Sequence, residues 1–169
     1  VQTCALPIWI SEQFRVDRIH LDLGEGEGLR KGLPVVTFEG LVGQISRFEG
    51  EYADVMLSVD RKSYVPVFVQ RNGAQGILRG TGELDRYTCE VEYLLRSDEV
   101  REGDQLFTSG TGGKFPEGIL AGTITSVRRE NTGLFQKVVV EPAVNFSRLR
   151  EVFVIMDVAH ETQGDEGEY

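Results

Sequence analysis

Residues 108–124 run Thr108-Ser109-Gly110-Thr111-Gly112-Gly113-Lys114-Phe115-Pro116-Glu117-Gly118-Ile119-Leu120-Ala121-Gly122-Thr123-Ile124. Five glycines fall within thirteen of these positions. Glycine loses more conformational freedom on folding than any other residue, so such density belongs where the chain turns tightly or two backbones approach closely. No His, Cys or Asp lies among them, and apolar alternation resumes at once with Ile119, Ala121 and Ile124. The segment therefore reads as a glycine-built turn feeding a β-strand, an element of architecture rather than of chemistry.

The rest of the chain extends this reading. Ile19, Leu21 and Leu23 alternate with His20 and Asp22, Val55, Leu57 and Val59 with Met56 and Ser58, Val65, Val67 and Val69 with Pro66 and Phe68, and Cys89, Val91 and Tyr93 with Glu90 and Glu92. Further strands are expected at 105–108, 120–128, 136–141 and 151–156. Helical periodicity is nearly absent, apart from one possible turn at 145–150. Short alternating runs with turn residues every 8 to 12 positions define an all-β barrel or sandwich. Gly32-Leu33-Pro34-Val35-Val36-Thr37 resembles Gly103-Asp104-Gln105-Leu106-Phe107-Thr108, and a Gly–apolar–Gly–x–Ile segment follows each. This duplication predicts two small barrels in tandem, residues 9–82 and 83–158, joined near Gly80-Thr81-Gly82-Glu83. Residues 159–169 are too polar and acidic to pack and are expected to be disordered. Residues 1–8, Val-Gln-Thr-Cys-Ala-Leu-Pro-Ile, match what a common sequencing adapter encodes, and are expected to lie outside the fold.

Charge and composition exclude several functions. Against 18 Lys and Arg stand 27 Asp and Glu, a net charge of -9. Nucleic-acid binding needs a basic face, which this balance disfavours. No apolar run approaches the length of a membrane span. With Cys4 set aside as part of the adapter-like segment, Cys89 alone remains, facing the core with Val91 while Glu90 and Glu92 face the other way, and without a disulfide partner.

Ser109 in Ser-Gly-Thr-Gly-Gly superficially resembles a nucleophile loop, but nucleophilic serine needs an oriented histidine base. The two histidines are His20, on the polar side of a strand, and His160, in the acidic tail. Gly112-Gly113-Lys114 lacks the following Ser or Thr and the helix of a phosphate loop. The two carboxylates of Gly24-Glu25-Gly26-Glu27-Gly28 would repel a pyrophosphate. Glu49, Glu51, Asp54 and Asp85 have no calcium-loop spacing, and a zinc site lacks ligands. No catalytic, metal or cofactor residue is assigned; the expectation is a non-enzymatic protein without cofactors.

Three ordered motifs resemble the MreC family of rod-shape-determining proteins: Gly40-Leu41-Val42-Gly43-Gln44-Ile45, Gly103-Asp104, and the run from Thr108 to Ile124. The resemblance covers roughly residues 14–157. On it, the structural signature is Gly40, Gly43, Gly103, Asp104, Thr108, Ser109, Gly110, Gly113, Phe115, Pro116, Gly118 and Gly122. It implies two tandem six-stranded barrels, each similar in topology to half of a trypsin-like protease. It further implies a scaffold of cell-wall elongation on the periplasmic face of the cytoplasmic membrane. The family's partners are MreD, MreB (through the membrane assembly), a class B penicillin-binding transpeptidase, and further copies of itself as dimer or filament. The family's membrane helix and coiled coil precede its β domains, so this chain corresponds to the β portion. Candidate contact residues are Phe38, Phe48, Tyr52 and Tyr64 in the first barrel and Phe107, Phe115 and Phe135 in the second. The alternative is a ligand-binding barrel of a periplasmic adaptor, which would need a long helical hairpin that the sequence does not show.

Overall fold

The computed structural model describes residues 3–9, 18–22, 29–49, 52–83, 86–129 and 132–156. The strands are β1 (Thr3–Trp9), β2 (Arg18–Asp22), β3 (Pro34–Val36), β4 (Leu41–Glu49), β5 (Tyr52–Leu57) and β6 (Tyr64–Val69). They continue with β7 (Gln75–Gly80), β8 (Cys89–Glu92), β9 (Gln105–Thr108), β10 (Leu120–Arg128), β11 (Lys137–Pro142) and β12 (Glu151–Ile155). One 3-10 turn, Phe146–Arg148, precedes β12, its N-terminus capped by the Asn145 side chain accepting from Ser147 N. Pairing is antiparallel throughout and closes two sheets on themselves. Barrel 1 runs β1-β12-β3-β4-β5-β2, and barrel 2 runs β10-β11-β8-β7-β6-β9. Closure leaves no sheet edge to template aggregation.

Period-two patterning builds both interiors. Val65, Val67 and Val69 of β6, Cys89 and Val91 of β8, and Val138 and Val140 of β11 are all buried, each separated by a more exposed residue. Barrel 1 is filled likewise by Val35, Val42, Ile45, Val55, Val152 and Val154. Branched side chains suit this role because they are stiff and pack well on a pleated surface.

The chain is not divided as the sequence predicts. Rather than 9–82 followed by 83–158, β6 and β7 belong to barrel 2, and β12 returns from the far end of the chain to close barrel 1 between β1 and β3. Barrel 2 is thus an insertion within barrel 1. The error traces to β7, in which no strand is read and whose last residue, Gly80, reads as the start of a linker. Gly76 and Gly80 are in fact points of close approach. A Cβ on Gly76 would lie 2.5 Å from Val91 Cγ1, and one on Gly80 would lie 2.0 Å from the Val59 carbonyl carbon. Residues 1–8 are a second correction. Thr3 to Pro7 pair with β12, and Ile8 and Trp9 pair with β2, so this segment is an interior strand with neighbours on both sides. The predicted tail, 159–169, lies outside the described residues.

The duplication is visible in the hydrogen bonds. Gly32 N donates to Ile45 O at 2.7 Å and Ile45 N to Leu33 O at 2.9 Å. In the second copy Gly103 N donates to Ile124 O at 2.8 Å and Ile124 N to Asp104 O at 2.9 Å. Bulges follow at Ile45/Arg47 and at Ile124/Ser126. Ser58 N donates to Val42 O, and Ala143 N donates to Ala121 O. β3-β4-β5 therefore match β9-β10-β11, and going round each sheet β2, β1 and β12 match β8, β7 and β6. The two barrels share one strand order, with the first strand of barrel 1 supplied from the C-terminal end.

Candidate interaction surfaces

The glycine-rich signature folds into a loop locked upon itself. Buried Thr108 anchors it: its Oγ1 donates to Pro116 O at 2.6 Å and accepts from Ile119 N at 2.9 Å. Gly118 N donates to Thr108 O at 2.9 Å and Gly113 N to Gly110 O at 3.1 Å. Gly110, Gly113 and Gly118 take φ of 73°, 66° and 92°, the left-handed region that side chains disfavour. Gly122 has another purpose: a Cβ there would lie 2.4 Å from Glu141 O across the ladder. Gly43 is its counterpart in barrel 1, 2.0 Å from Met56 O on the same construction. Phe115, a candidate contact residue on sequence, is 2% exposed and plugs the loop into the core. That candidacy is withdrawn, because a ring so enclosed meets no partner.

Asp104, of the Gly-Asp pair, is a clamp. Its carboxylate accepts two bonds at 2.9 Å from Arg71 Nε and Nη2, and a third from Arg101 N at 2.9 Å. Arg71 Nη2 also donates to Glu99 O at 2.6 Å. The Arg71 hydrogen bonds hold the Asp104 carboxyl below its usual range. This fork joins the β6–β7 turn to the loop before β9, and bidentate geometry makes it stronger than a simple surface pair.

Gly40 sits where the barrels meet. With φ at 150°, a Cβ on it would lie 2.3 Å from Leu120 O and 2.8 Å from Ala143 Cβ, both in the other half of the molecule. Beside it the Glu39 carboxylate accepts from Asn145 N at 3.1 Å. Tyr87 stacks on Phe146 with ring centroids 5.4 Å apart, and the Cys89 thiol donates to Ser58 O at 3.5 Å. Burial pushes that thiol up to about 12, so it is inert at neutral pH.

Groups that could carry chemistry are not assembled. The Ser109 hydroxyl donates to Thr111 Oγ1 at 3.0 Å, and His20 belongs to β2 of the other barrel. No group of three or more metal-ligating side chains occurs among the described residues. The segment 24–28 lies outside them. A depression of about 350 Å³ is lined by Arg61, Arg79, Glu83, Glu90 and Glu92. Two ion pairs occupy it: Arg79 pairs with Glu92 at 3.0 Å, and Glu90 pairs with Lys137 at 3.3 Å.

What the surface does display is apolar side chains. In barrel 1, Phe38 is 94% exposed and leans edge-on against Phe153 of β12, centroids 5.0 Å apart. It borders a cleft of about 170 Å³ with Arg148, Arg150 and Glu151. Tyr64, assigned to the first barrel on sequence, lies instead in β6 of barrel 2, because β6 and β7 pair there; it is half exposed, with the Arg79 guanidinium 5.1 Å above its ring. Phe107 is half-buried against Phe68. The side chains of Phe48 and Tyr52 lie outside the described residues. In barrel 2, Phe135 is exposed beside three residues that the sequence does not flag, Tyr93, Leu95 and Leu134. Strand alternation predicts Tyr93 to point inward after Cys89 and Val91. Its φ of 65° turns the backbone after Glu92 and sends the ring out to solvent, 5.6 Å from Phe135.

A helix-poor pair of closed antiparallel barrels with close-packed glycines and outward-facing rings defines an all-β barrel protein. The family model described as "Rod shape-determining protein MreC, barrel core" matches residues 11–156, and the chain belongs to that family. It is 31% identical over 139 residues to the cell shape-determining protein MreC of Escherichia coli K12, covering 82% of this chain and 37% of that one. It is 33% identical over 142 residues to the Listeria monocytogenes protein of the same name, covering 82% and 48%. The chain thus spans less than half the length of these relatives. The crystal structure of MreC from Pseudomonas aeruginosa superposes with a TM-score of 0.84 at 30% identity, over 92% of this chain and 99% of that one. The solved complex between a penicillin-binding protein (PBP2) and MreC from Helicobacter pylori matches at a TM-score of 0.69 and 21% identity, over 90% of this chain and 97% of that one. Among the described residues no helix is long and apolar enough to cross a membrane.

Proposed function

We propose that this chain is a non-enzymatic docking scaffold of the cell-wall elongation machinery, working on the extracytoplasmic side of a membrane anchored by the rest of the protein. The observation that carries the reading is Phe38: a phenylalanine 94% exposed, held on Phe153 beside a cleft with two arginines, has no role in the fold's own core. Exposed aromatic and arginine side chains are the residues that dominate protein–protein contacts. The occupant of this face is a class B penicillin-binding transpeptidase, a choice supported by the solved complex of a relative with such an enzyme. MreD, MreB and further copies of the chain complete the assembly, linking wall synthesis to the actin-like filament inside the cell. The trypsin-half topology of each barrel belongs to the same reading, and the strand-for-strand equivalence of the two sheets supports it.

Binding of the chain to a purified transpeptidase ectodomain, read by biolayer interferometry, tests this. Phe38→Asp should abolish binding while its melting transition stays in place, because Phe38 is outside the core. Undiminished binding by the variant, or no binding by the parent chain at high micromolar concentration, removes the basis of the reading.

A further inference from the structure

We propose that the rim of barrel 2 carrying Tyr93, Leu95, Leu134 and Phe135 rests on an anionic lipid bilayer. The four side chains are 60%, 44%, 74% and 45% exposed. They converge: Leu95 and Phe135 form a β-bridge, Arg96 N donates to Leu134 O at 2.8 Å, and the Tyr93 and Phe135 rings touch.

The charge around this patch runs against that of the chain. Arg96 Nη1 donates to Gly133 O at 3.2 Å, Arg129 Nε reaches Gln136 Oε1 at 3.5 Å, and Arg128 pairs across the ladder with Lys137. Facing these four cations are Glu90, paired with Lys137, and Asp98, whose Oδ2 accepts from Leu95 N at 3.2 Å. Glu99 is neutralised by Arg101. Four cations against two carboxylates leave an excess of two, and Glu130, outside the described residues, trims it to one. In a chain of net charge -9, a cation-rich rim around exposed aromatic and aliphatic side chains is a local inversion.

The shape favours lipid over protein. A stable protein interface buries roughly 800 Å² per partner, whereas four partly exposed side chains projecting from a hairpin and a neighbouring loop offer about half that. Shallow insertion of aromatic and leucine side chains with basic residues at headgroup level is the chemistry of interfacial anchoring. Such contact is weak alone and gains strength when the domain is tethered near the surface. The inference stands independently of transpeptidase docking, which is placed on barrel 1.

Flotation of the 169-residue chain with phosphatidylglycerol–phosphatidylcholine vesicles, against pure phosphatidylcholine, tests it. The chain should float with the anionic vesicles only, despite its net negative charge. Arg128→Ser should weaken binding about fivefold. Leu134→Glu should abolish it with an unchanged melting transition and unchanged transpeptidase binding. Absence of flotation by the parent chain overturns the proposal. So does flotation insensitive to both substitutions, or loss of transpeptidase binding in Leu134→Glu without any vesicle binding, which assigns the patch to a protein partner.

Discussion

Glycine does two separable jobs in this chain, and substitution distinguishes them. Gly112 takes φ 80° with nothing within 4 Å of a would-be Cβ, so only backbone conformation is at stake. Gly112→Ala should cost about 1 kcal/mol. Gly40→Ala adds collision with Leu120 O and Ala143 Cβ, and should cost about 2–3 kcal/mol, since overpacking in a filled site forces backbone shifts. Urea titrations of the two variants check the ranking; equal losses would refute the seam as a close-packed contact. Asp104 makes a different prediction. Its folded-state ionisation is depressed by the Arg71 bonds, so the stabilisation is fully present above the ordinary carboxylate range and disappears as pH falls through the depressed value. Asp104→Asn should therefore cost about 1–2 kcal/mol at pH 7. The gap to the parent chain should narrow steadily below about pH 4. A pH-independent gap would mean that shape rather than charge holds the fork.

At the level of elements, barrel 1 depends on a strand from far along the chain. Deleting everything from Glu151 onward removes β12 from between β1 and β3. Hydrogen exchange should then show β1 and β3 unprotected while β6 to β11 keep their protection; uniform loss across both barrels would show that the sheets fold as one unit. The same strand explains what could be read in advance and what could not. Alternation located β5, β6, β8 and β10 because apolar residues recur on their inward faces, among them Val55 and Leu57, Val65, Val67 and Val69, Cys89 and Val91, and Ala121 and Ile124. It missed β7, whose last residue, Gly80, imitates a linker, and it misread Tyr93, because a single left-handed residue inverts the facing of everything after it. Pro66 has no N–H to give a ladder, which points to an edge strand, yet it lies inside closed barrel 2: it pairs with Ile77, and the ladder to β9 begins at Val67. No local pattern reveals that a C-terminal strand closes an N-terminal barrel, since register between distant strands is a property of the whole chain. The signature loop was legible as architecture, and Tyr64 and Phe135 were flagged as contact candidates, while the outward facing of Tyr93 was not legible, because it follows from turn geometry that composition does not encode.

For the whole molecule, the insertion makes the halves unequal. Residues 58–144 contain all six strands of barrel 2, and should fold alone with a cooperative melt. Residues 1–57 lack the closing strand and should not. An excised barrel 2 that shows no cooperative transition would mean that the Gly40 seam is needed for its folding and not only for its placement.

The order in which a ribosome delivers these strands has its own consequence. Phe38 rests on Phe153, a residue of the last strand. The surface offered by barrel 1 therefore does not exist until synthesis has passed through barrel 2 and returned. On the docking role proposed above, a chain that terminates early, or is clipped ahead of β12, would display no finished docking face and would be left out of the complex. The late strand would then act as a check written into connectivity, one that requires no dedicated inspector.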